Sequence, residues 1–293
     1  MSNTDYAVMV ENLTKNYGDY ELNISLKVPY GRVTGFVGKN GAGKSTTIKA
    51  LLGLITKDGG SALVFGKDAD ELEISDKEKI GVCLADSSFS AYLNVKDIMS
   101  IMKNLYHEFD AELFARKCKE LKIPMDKEIK AFSTGMKAKV RVLSSICHKA
   151  TLLIMDEPTA GLDVEARNII IDLLRKYVSE DENRTILISS HIATDLENLC
   201  DDFYLIDNGR ITLYEETDVL MDKYGMLKVN EEAYEKLDKQ YILKTKKQSY
   251  GYDCFTNEAG FYKENYPEIV VEKGGIDQLI LMMTGGDTDE RIN

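Results

Sequence analysis

The sequence predicts an α/β fold built around a mainly parallel β-sheet. Continuously apolar runs recur as "TLLIM" (151–155), "RTILIS" (184–189) and "DFYLI" (202–206), and segments of helical periodicity alternate with them. Such runs are typical of parallel strands that are buried on both faces. A glycine-rich loop at 38–46 also joins an apolar run to a helical segment, which is the strand–loop–helix order of α/β units.

The first half of the chain predicts a second kind of sheet beside the first. "ELNISLKV" (21–28) alternates apolar and polar residues with a period of two, which predicts a half-buried strand. "RVTGFVG" (32–38) predicts a compact apolar strand, and "KSTTIKALLGL" (44–54) predicts the helix that follows it. "SALVFG" (61–66) and "KIGVCL" (79–84) predict two further strands.

The middle of the chain predicts a helical block, because the pattern from about 95 to 147 is helical throughout. "DNGR" (207–210) stands before the strand-like "ITLY" and is a strong hairpin signal. We therefore expect a main domain over 1–215, with its helical subdomain at about 87–148.

The last part of the chain changes in composition after about Glu215. It is rich in Tyr, Lys and Glu, and it contains the strand-like "YILKTKK" and "EIVVEKG" and the helical "GIDQLILMM". We expect residues 216–293 to form a small α+β accessory domain.

Composition excludes several classes of protein. The chain has 293 residues and a net charge of −12, and so acidic a surface argues against nucleic acid as a partner. No apolar run approaches the roughly 20 residues of a membrane helix, and the N-terminus lacks the pattern of a secretory signal. The five cysteines lie far apart without a CxxC pair, which favours reduced thiols in the cytoplasm.

The loop "GKNGAGKST" matches G-x-x-x-x-G-K-[ST] in the right strand–loop–helix context. Its glycines let backbone N–H groups surround phosphate oxygens, and the following helix directs its positive end at them. We expect Lys44 to bind the β- and γ-phosphates and the Ser45 hydroxyl to ligate Mg²⁺. The predicted phosphate-binding residues are Gly38, Asn40, Gly41, Ala42, Gly43, Lys44, Ser45 and Thr46.

Two acidic residues and a histidine follow neighbouring buried strands. Asp156 and Glu157 follow the run "TLLIM", and His191 comes after "RTILIS" with only Ser190 between them. The carboxyl ends of parallel strands meet at one edge of a sheet, where ligands bind. We expect Asp156 to hold Mg²⁺, Glu157 to polarise the attacking water, and His191 to reach the γ-phosphate. A solvated strand end and a structural histidine are the alternatives.

In motif order and spacing, residues 5 to 215 resemble the ATP-binding subunits of ABC transporters. "GKNGAGKST" resembles their Walker A motif, "LLIMDEP" Walker B, "AGLD" the D-loop that ends at Asp163, and "SSHI" the switch histidine. Tyr17 stands where the family places the aromatic ring that stacks on adenine. The resemblance implies an ABC-type P-loop ATPase core with an antiparallel β subdomain, and it implies ATP and Mg²⁺ as ligands.

"FSTGMK" stands at the position of the family signature. In the family this segment closes over ATP that is bound to a second subunit. The resemblance therefore implies that Ser133 and Gly135 bind the nucleotide of a partner chain, and that two chains dimerise on ATP. The Thr-Gly-Met-Lys form of the signature is familiar in a bacterial multidrug and antibiotic exporter branch.

The sequence departs from the family pattern at the Q-loop. Ala85 stands where a glutamine is usual, and we expect the neighbouring Asp86 to contribute to the metal site as an imperfect substitute. Altered coupling to the membrane subunit, and a catalytically weak partner in a heterodimer, both remain open at this point.

The resemblance implies an ATP-hydrolysing subunit that drives a separate membrane permease, more often an exporter than an importer. Such a subunit would lie in the cytoplasm, peripheral to the inner face of the cell membrane. A soluble ABC-type ATPase with an assembly or regulatory role is the alternative. A P-loop kinase or GTPase would leave "FSTGMK", "AGLD" and "SSHI" unexplained.

Overall fold

The computed structural model describes residues 5–85 and 89–284. Its strands are β1 (Tyr6–Asn16), β2 (Glu21–Pro29), β3 (Val33–Val37), β4 (Gly59–Val64), β5 (Lys67–Asp68), β6 (Ile80–Cys83), β7 (Leu152–Asp156), β8 (Thr185–Ser190), β9 (Asp202–Asp207), β10 (Arg210–Glu216), β11 (Gly225–Val229), β12 (Ile242–Gln248), β13 (Gly251–Thr256) and β14 (Val270–Lys273). Its α-helices are α1 (Lys44–Leu51), α2 (Ile74–Lys77), α3 (Val95–Leu105), α4 (Ala111–Glu120), α5 (Thr134–Ile146), α6 (Val164–Ser179), α7 (Ala193–Glu197), α8 (Thr217–Lys223), α9 (Glu231–Lys236), α10 (Ala259–Asn265) and α11 (Ile276–Met283).

The central sheet has the strand order β10-β9-β3-β8-β7-β6. All neighbouring strands from β9 to β6 are parallel, and β10 pairs with β9 in the antiparallel direction. The hairpin between β9 and β10 turns at Asn208 and Gly209, which both have positive φ, as a type I′ turn requires. The predicted parallel sheet and the predicted hairpin are therefore confirmed.

Both faces of the central sheet are covered, which explains its continuously apolar strands. In β7, Leu152 and Ile154 belong to the core between the sheet and α1. Leu153 and Met155 belong to the core on the opposite face, together with residues of α5 and α6. Side chains alternate between the faces of a strand, so burial on both faces requires apolar residues at successive positions.

A second sheet, with the order β2-β1-β4-β5, is antiparallel throughout. The residues predicted to form the inner face of β2, from Leu22 to Val28 in steps of two, are all buried. This sheet packs on the face of the central sheet that also holds α1. The predicted antiparallel β part is confirmed.

Helices α3, α4 and α5 form the helical part of the molecule, and polar residues cap each of them. Asn94 and Asp97 form a reciprocal capping box at the start of α3. Asp110 accepts a hydrogen bond from the backbone of Leu113 at the start of α4, and Ser133 caps α5. These side chains satisfy backbone N–H groups that the first turn of a helix leaves unpaired.

The C-terminal part contains a third, antiparallel sheet of order β12-β13-β11-β14. Leu227, Cys254 and Tyr262 are among the residues of its own small core. Met226 of β11 and Phe255 of β13 belong instead to the large core under the central sheet, as do the buried residues of α11, which are Ile276, Leu279 and Met282. The C-terminal part is thus attached to the rest of the molecule through apolar residues of both its sheet and α11.

The five cysteines are buried and unpaired. Across residues 5–85 and 89–284, no helix combines the length and the apolar character needed to span a membrane.

Candidate nucleotide-binding site

The glycine-rich loop lies between β3 and α1 and is held in place by close packing. A Cβ atom on Gly38 would lie 2.3 Å from the Ile206 carbonyl oxygen, and one on Gly43 would lie 2.4 Å from the Tyr20 hydroxyl. Gly43 also has a φ of 118°, which disfavours other residues. The Tyr20 hydroxyl donates to the Ala42 carbonyl at 2.8 Å. The loop is therefore shaped by its neighbours before any ligand enters it.

Lys44 is the first residue of α1, and its side chain is only 5% exposed. Its ammonium donates to the Gly38 carbonyl at 2.7 Å and to the Lys39 carbonyl at 3.3 Å. A carboxylate oxygen of Glu157 lies 3.3 Å from the same nitrogen. Lys44 is thus directed across the loop towards the end of β7.

Asp156 and Glu157 stand at the carboxyl end of β7, next to the end of β8. The Asp156 side chain is nearly fully buried, and its Oδ1 accepts a hydrogen bond from the Ser189 hydroxyl at 2.6 Å. Glu157 has a φ of 49°, an uncommon value for a residue other than glycine. Its N–H donates to both the carbonyl and the hydroxyl of Ser189, at 3.1 and 3.0 Å. Ser189 therefore holds both acidic residues.

His191 lies directly against Glu157. Its Nδ1 is 2.6 Å from Glu157 Oε2, and its backbone N–H donates to the same oxygen at 3.3 Å. The His191 side chain is 43% exposed, whereas that of Glu157 is 12% exposed. The structure therefore brings Lys44, Glu157 and His191 together, although the three lie far apart in the sequence.

The loop opens onto a small polar cavity of 160 Å³. Its lining residues are Asn40, Gly41, Gly43, Lys44, Ser45, Thr46 and Glu157. Ser45 is partly exposed there, so its hydroxyl is accessible to a ligand. All of the lining residues except Glu157 come from the phosphate-binding motif, and Glu157 adds a carboxylate to the far side.

The donor set suits Mg²⁺ better than a metal that needs a protein cage. In the described part of the chain, no group of three or more His, Cys, Asp and Glu side chains is placed to hold a metal. Mg²⁺ is commonly held by one or two protein oxygens together with substrate phosphates. Ser45 and the buried carboxylate of Asp156 supply oxygens of that kind. Asp86, which the sequence adds to this set, lies outside the described residues.

Tyr17, the predicted adenine-stacking residue, lies in the turn between β1 and β2. Its backbone N–H donates to the Tyr20 carbonyl at 2.8 Å, and its side chain is 54% exposed. Lys15 Nζ lies 5.8 Å from the centroid of this ring, and Tyr20 connects the same turn to the phosphate loop.

Ser133, Gly135 and Asp163 do not line the cavity beside Ser45. The Ser133 hydroxyl accepts a hydrogen bond from Met136 N at 3.2 Å, and Asp163 Oδ1 accepts one from Ala166 N at 2.8 Å. A Cβ on Gly135 would lie 3.0 Å from the Cβ of Ala166, so this glycine also permits close packing of α5 on α6. Each of these residues has a structural role within its own chain.

Three residues that shape this region are not among the predicted site residues. Ser189 orients both acidic residues, and the only signal for it is its place in "SSHI", at the end of a buried strand. Arg141 donates to the carbonyls of Leu84 and Ala85, at 3.2 and 3.4 Å, so this cation of α5 binds the chain at the end of β6. Lys39, within the phosphate loop, donates to the Thr284 carbonyl at the end of α11.

Comparisons with known proteins all match this chain to ATP-binding proteins of transport and drug resistance. A family model described as ABC transporter matches residues 22–160. The lantibiotic transport ATP-binding protein SrtF of Streptococcus pyogenes is 34% identical over 212 residues, which are 71% of this chain and 90% of that protein. The linearmycin resistance ATP-binding protein LnrL of Bacillus subtilis is 32% identical over 221 residues, covering 72% of this chain and 70% of that protein.

One more relative and one solved structure are similar to this chain. The daunorubicin/doxorubicin resistance ATP-binding protein DrrA of Streptomyces peucetius is 32% identical over 226 residues, covering 75% of this chain and 68% of that protein. Among solved structures, cbiO1 from Clostridium perfringens, described as part of the ABC transporter complex cbiONQ, has a TM-score of 0.61 and 28% identity. That similarity covers 75% of this chain and 92% of cbiO1.

Proposed function

The chain belongs to the family of ABC transporter ATP-binding proteins, and from this premise we propose that it powers an exporter. It is an ATPase, the energy-coupling subunit of an ABC transporter. The proposal concerns the direction of transport, the partners and the roles of individual residues. The observation that carries the proposed residue roles is the meeting of Lys44, Glu157 and His191 beside the phosphate loop.

We propose that Lys44 exchanges its contact with Glu157 for the phosphates of ATP. Its ammonium already lies 3.3 Å from a carboxylate oxygen, so a phosphate oxygen can take that oxygen's place with little movement. The backbone N–H groups of residues 38–46 and the N-terminus of α1 add favourable electrostatics. Tyr17 would stack on the adenine ring.

Once Lys44 binds phosphate, Glu157 keeps its hydrogen bond to His191. The proposed role of Glu157 is to orient and polarise the attacking water, while His191 holds the carboxylate and contacts the γ-phosphate. Ser45 and Asp156 would hold Mg²⁺, which neutralises the charge that develops on the phosphate oxygens. The buried hydrogen bond from Ser189 to Asp156 fixes the direction of the carboxylate.

We propose that Ser133, Gly135 and Asp163 act on the nucleotide of a second subunit. Ser133 and Asp163 are exposed in the single chain, and Ser133 stands at the N-terminus of a 13-residue helix. A helix N-terminus favours an anion such as the γ-phosphate. Two chains would then enclose two nucleotides, as a homodimer or with a related subunit.

The proposed permease site is the groove between β6 and helices α3 and α5. It has a volume of 220 Å³, and its apolar lining includes Val82, Phe89 and Tyr106. Phe89 packs against the core, whereas Tyr92, three residues further on, is 74% exposed. An exposed aromatic side chain near a partly apolar groove is a typical anchor of an interface. Docking there would hold the chain at the cytoplasmic face of the cell membrane.

Export is favoured by the names of the relatives. They are described as serving lantibiotic transport, linearmycin resistance and daunorubicin or doxorubicin resistance. The Thr-Gly-Met-Lys form of the signature points in the same direction. A soluble assembly or regulatory ATPase is disfavoured, because these relatives are named for transport or drug resistance.

For the C-terminal residues 216–293 we propose an accessory domain that supports the site. Helix α11 is linked to the nucleotide-binding site at both of its ends. Lys39 of the phosphate loop donates to the Thr284 carbonyl at one end, and Ile276 N donates to Glu197 at 2.7 Å at the other. Glu197 is the last residue of α7, the helix that follows His191. The accessory domain would thereby connect the phosphate loop to the switch-histidine segment.

The proposed function is tested with Glu157→Gln in the full-length chain. Removing the base should lower kcat for ATP hydrolysis by about 10²–10⁴-fold while ATP still binds. The variant should also form an ATP-dependent dimer in size-exclusion chromatography with Mg²⁺. Glu182→Gln, on the exposed turn before β8, serves as the matched control and should behave as wild type.

Affinity purification from detergent-solubilised native membranes tests the transport role. A polytopic protein that co-purifies in stoichiometric amount, and that is lost when Tyr92 is changed to Asp, would support the proposed docking site. Purification with soluble proteins alone would contradict the proposed coupling to a permease.

A further inference from the structure

A second, fully buried polar contact lies behind the Glu157–His191 pair. The Thr159 hydroxyl donates to Asp195 Oδ2 at 2.6 Å, and the two residues are 1% and 4% exposed. Thr159 comes two residues after Glu157, and Asp195 comes four residues after His191. The same two segments are therefore joined twice, once at the site and once in the interior.

A third segment meets the same carboxylate. Arg167 Nε, on α6, lies 3.7 Å from Asp195 Oδ1, and this buried Nε has no hydrogen-bond partner among the described residues. Arg167 comes four residues after Asp163, the residue that caps α6. Asp195 thus lies where the Walker B segment, the D-loop helix and the switch-histidine helix converge.

Burial of this carboxylate carries an energetic cost. Desolvation raises the pKa of Asp195, the Thr159 hydrogen bond and Arg167 lower it, and the charge of Glu157 raises it further. A buried carboxylate that served packing alone would be replaced at lower cost by an apolar side chain. Its position instead suits a residue that fixes the distance between neighbouring segments.

We infer that Asp195 is a positioning residue that holds His191 against Glu157 through its contacts with Thr159 and Arg167. This inference rests on the proposed roles of Glu157 and His191. Helix α7 has only five residues, too few for a helix to be stable without tertiary contacts. The Asp195 contacts tie the first turn of α7 to Thr159 and to α6, and without them the 2.6 Å contact between His191 and Glu157 is lost.

The first test is the kinetics of Asp195→Asn in the full-length chain. The value of kcat should fall between about tenfold and a hundredfold, the cost of a displacement near 1 Å at a reacting centre. KM for ATP should change less than about twofold, because the phosphate loop is untouched. Asp126→Asn, an exposed acid that pairs with Lys96 on the surface of the helical part, is the matched control and should keep wild-type kinetics.

Two further variants separate positioning from general destabilisation. Thr159→Val removes the donor at nearly constant volume and should reproduce the loss in kcat, whereas Thr159→Ser should restore it. On a His191→Ala background, Asp195→Asn should cause little additional loss, since it acts through His191. If Asp195→Asn does not fold, Thr159→Val alone decides the question.

Three outcomes would overturn the inference: unchanged kcat in Thr159→Val, a parallel rise in KM, or a full additional loss on the His191→Ala background. These outcomes differ from failure of the proposed function. If the proposed function failed, Glu157→Gln would hydrolyse ATP as fast as wild type, and the inference about Asp195 would fail with it.

Discussion

Ser189→Ala tests how the end of β8 controls both acidic residues. The Ser189 side chain is fully buried, and its hydroxyl donates to Asp156 Oδ1 at 2.6 Å while accepting from Glu157 N at 3.0 Å. Alanine removes one oxygen atom and leaves the strand intact. The buried Oδ1 of Asp156 then loses its hydrogen bond from Ser189, whereas Glu157 N keeps the Ser189 carbonyl at 3.1 Å.

The expected loss of stability follows from these contacts. A hydrogen bond to a charged group contributes about 1.5–3 kcal/mol, and the partner that remains is buried and unpaired. The Glu157 N–H bond adds little, because its second acceptor is retained. We expect the free energy of unfolding to fall by about 2–3 kcal/mol, equivalent to a decrease in Tm of roughly 4–12 °C.

Urea unfolding followed by circular dichroism measures this loss, and steady-state ATP hydrolysis measures its effect on the site. We expect kcat to fall at least about tenfold, because Asp156 and Glu157 both lose part of their support. Ser190→Ala is the control, since within residues 5–85 and 89–284 its hydroxyl bonds only with the backbone of Ile192. If Ser189→Ala were within about 0.5 kcal/mol of wild type with unchanged kcat, the reasoning would be refuted.

Two other predictions concern pH and the accessory domain. Burial lowers the pKa of His148 below its usual 6.5, so the unfolded chain takes up a proton first and wild-type stability falls as pH drops below 6.5. His148→Gln should remove this dependence, which is worth at most about 1.4 kcal/mol per pH unit. Urea unfolding at pH 5.5 and 7.5 measures it, and the exposed His107 provides the control variant. An identical pH dependence in the wild type and in His148→Gln would contradict the assignment. Glu197→Ala removes the acceptor of Ile276 N and should lower the free energy of unfolding by about 1 kcal/mol. The linker before α11 should then be cleaved faster in limited proteolysis. Unchanged cleavage would count against the proposed contact.

The local signals in the sequence predict the elements well because they report burial. Alternation from Leu22 to Val28 identifies a strand with one buried face, and the unbroken run before Asp156 identifies a strand with two. The glycine-rich loop and the Asn208–Gly209 turn are also local, since both depend on backbone conformations that few residues adopt.

The sequence also places the phosphate-binding loop, the acidic pair and His191 in one site, because parallel strands end at a common edge. It does not predict which atoms meet there. That Lys44 forms an ion pair with Glu157, and that His191 is hydrogen-bonded to the other oxygen of the same carboxylate, depends on the order of β3, β8 and β7 in the sheet.

The remaining partners are long-range, and only the tertiary structure decides them. Nothing in the sequence near Thr159 indicates Asp195, and nothing near Lys39 indicates Thr284, which lies at the other end of the chain. Serine, threonine and aspartate side chains have many possible uses, and packing alone selects among them. The sequence thus determined the elements and the chemistry available to this protein. The contacts behind the site, such as the one between Thr159 and Asp195, depend on which helices and strands pack against each other.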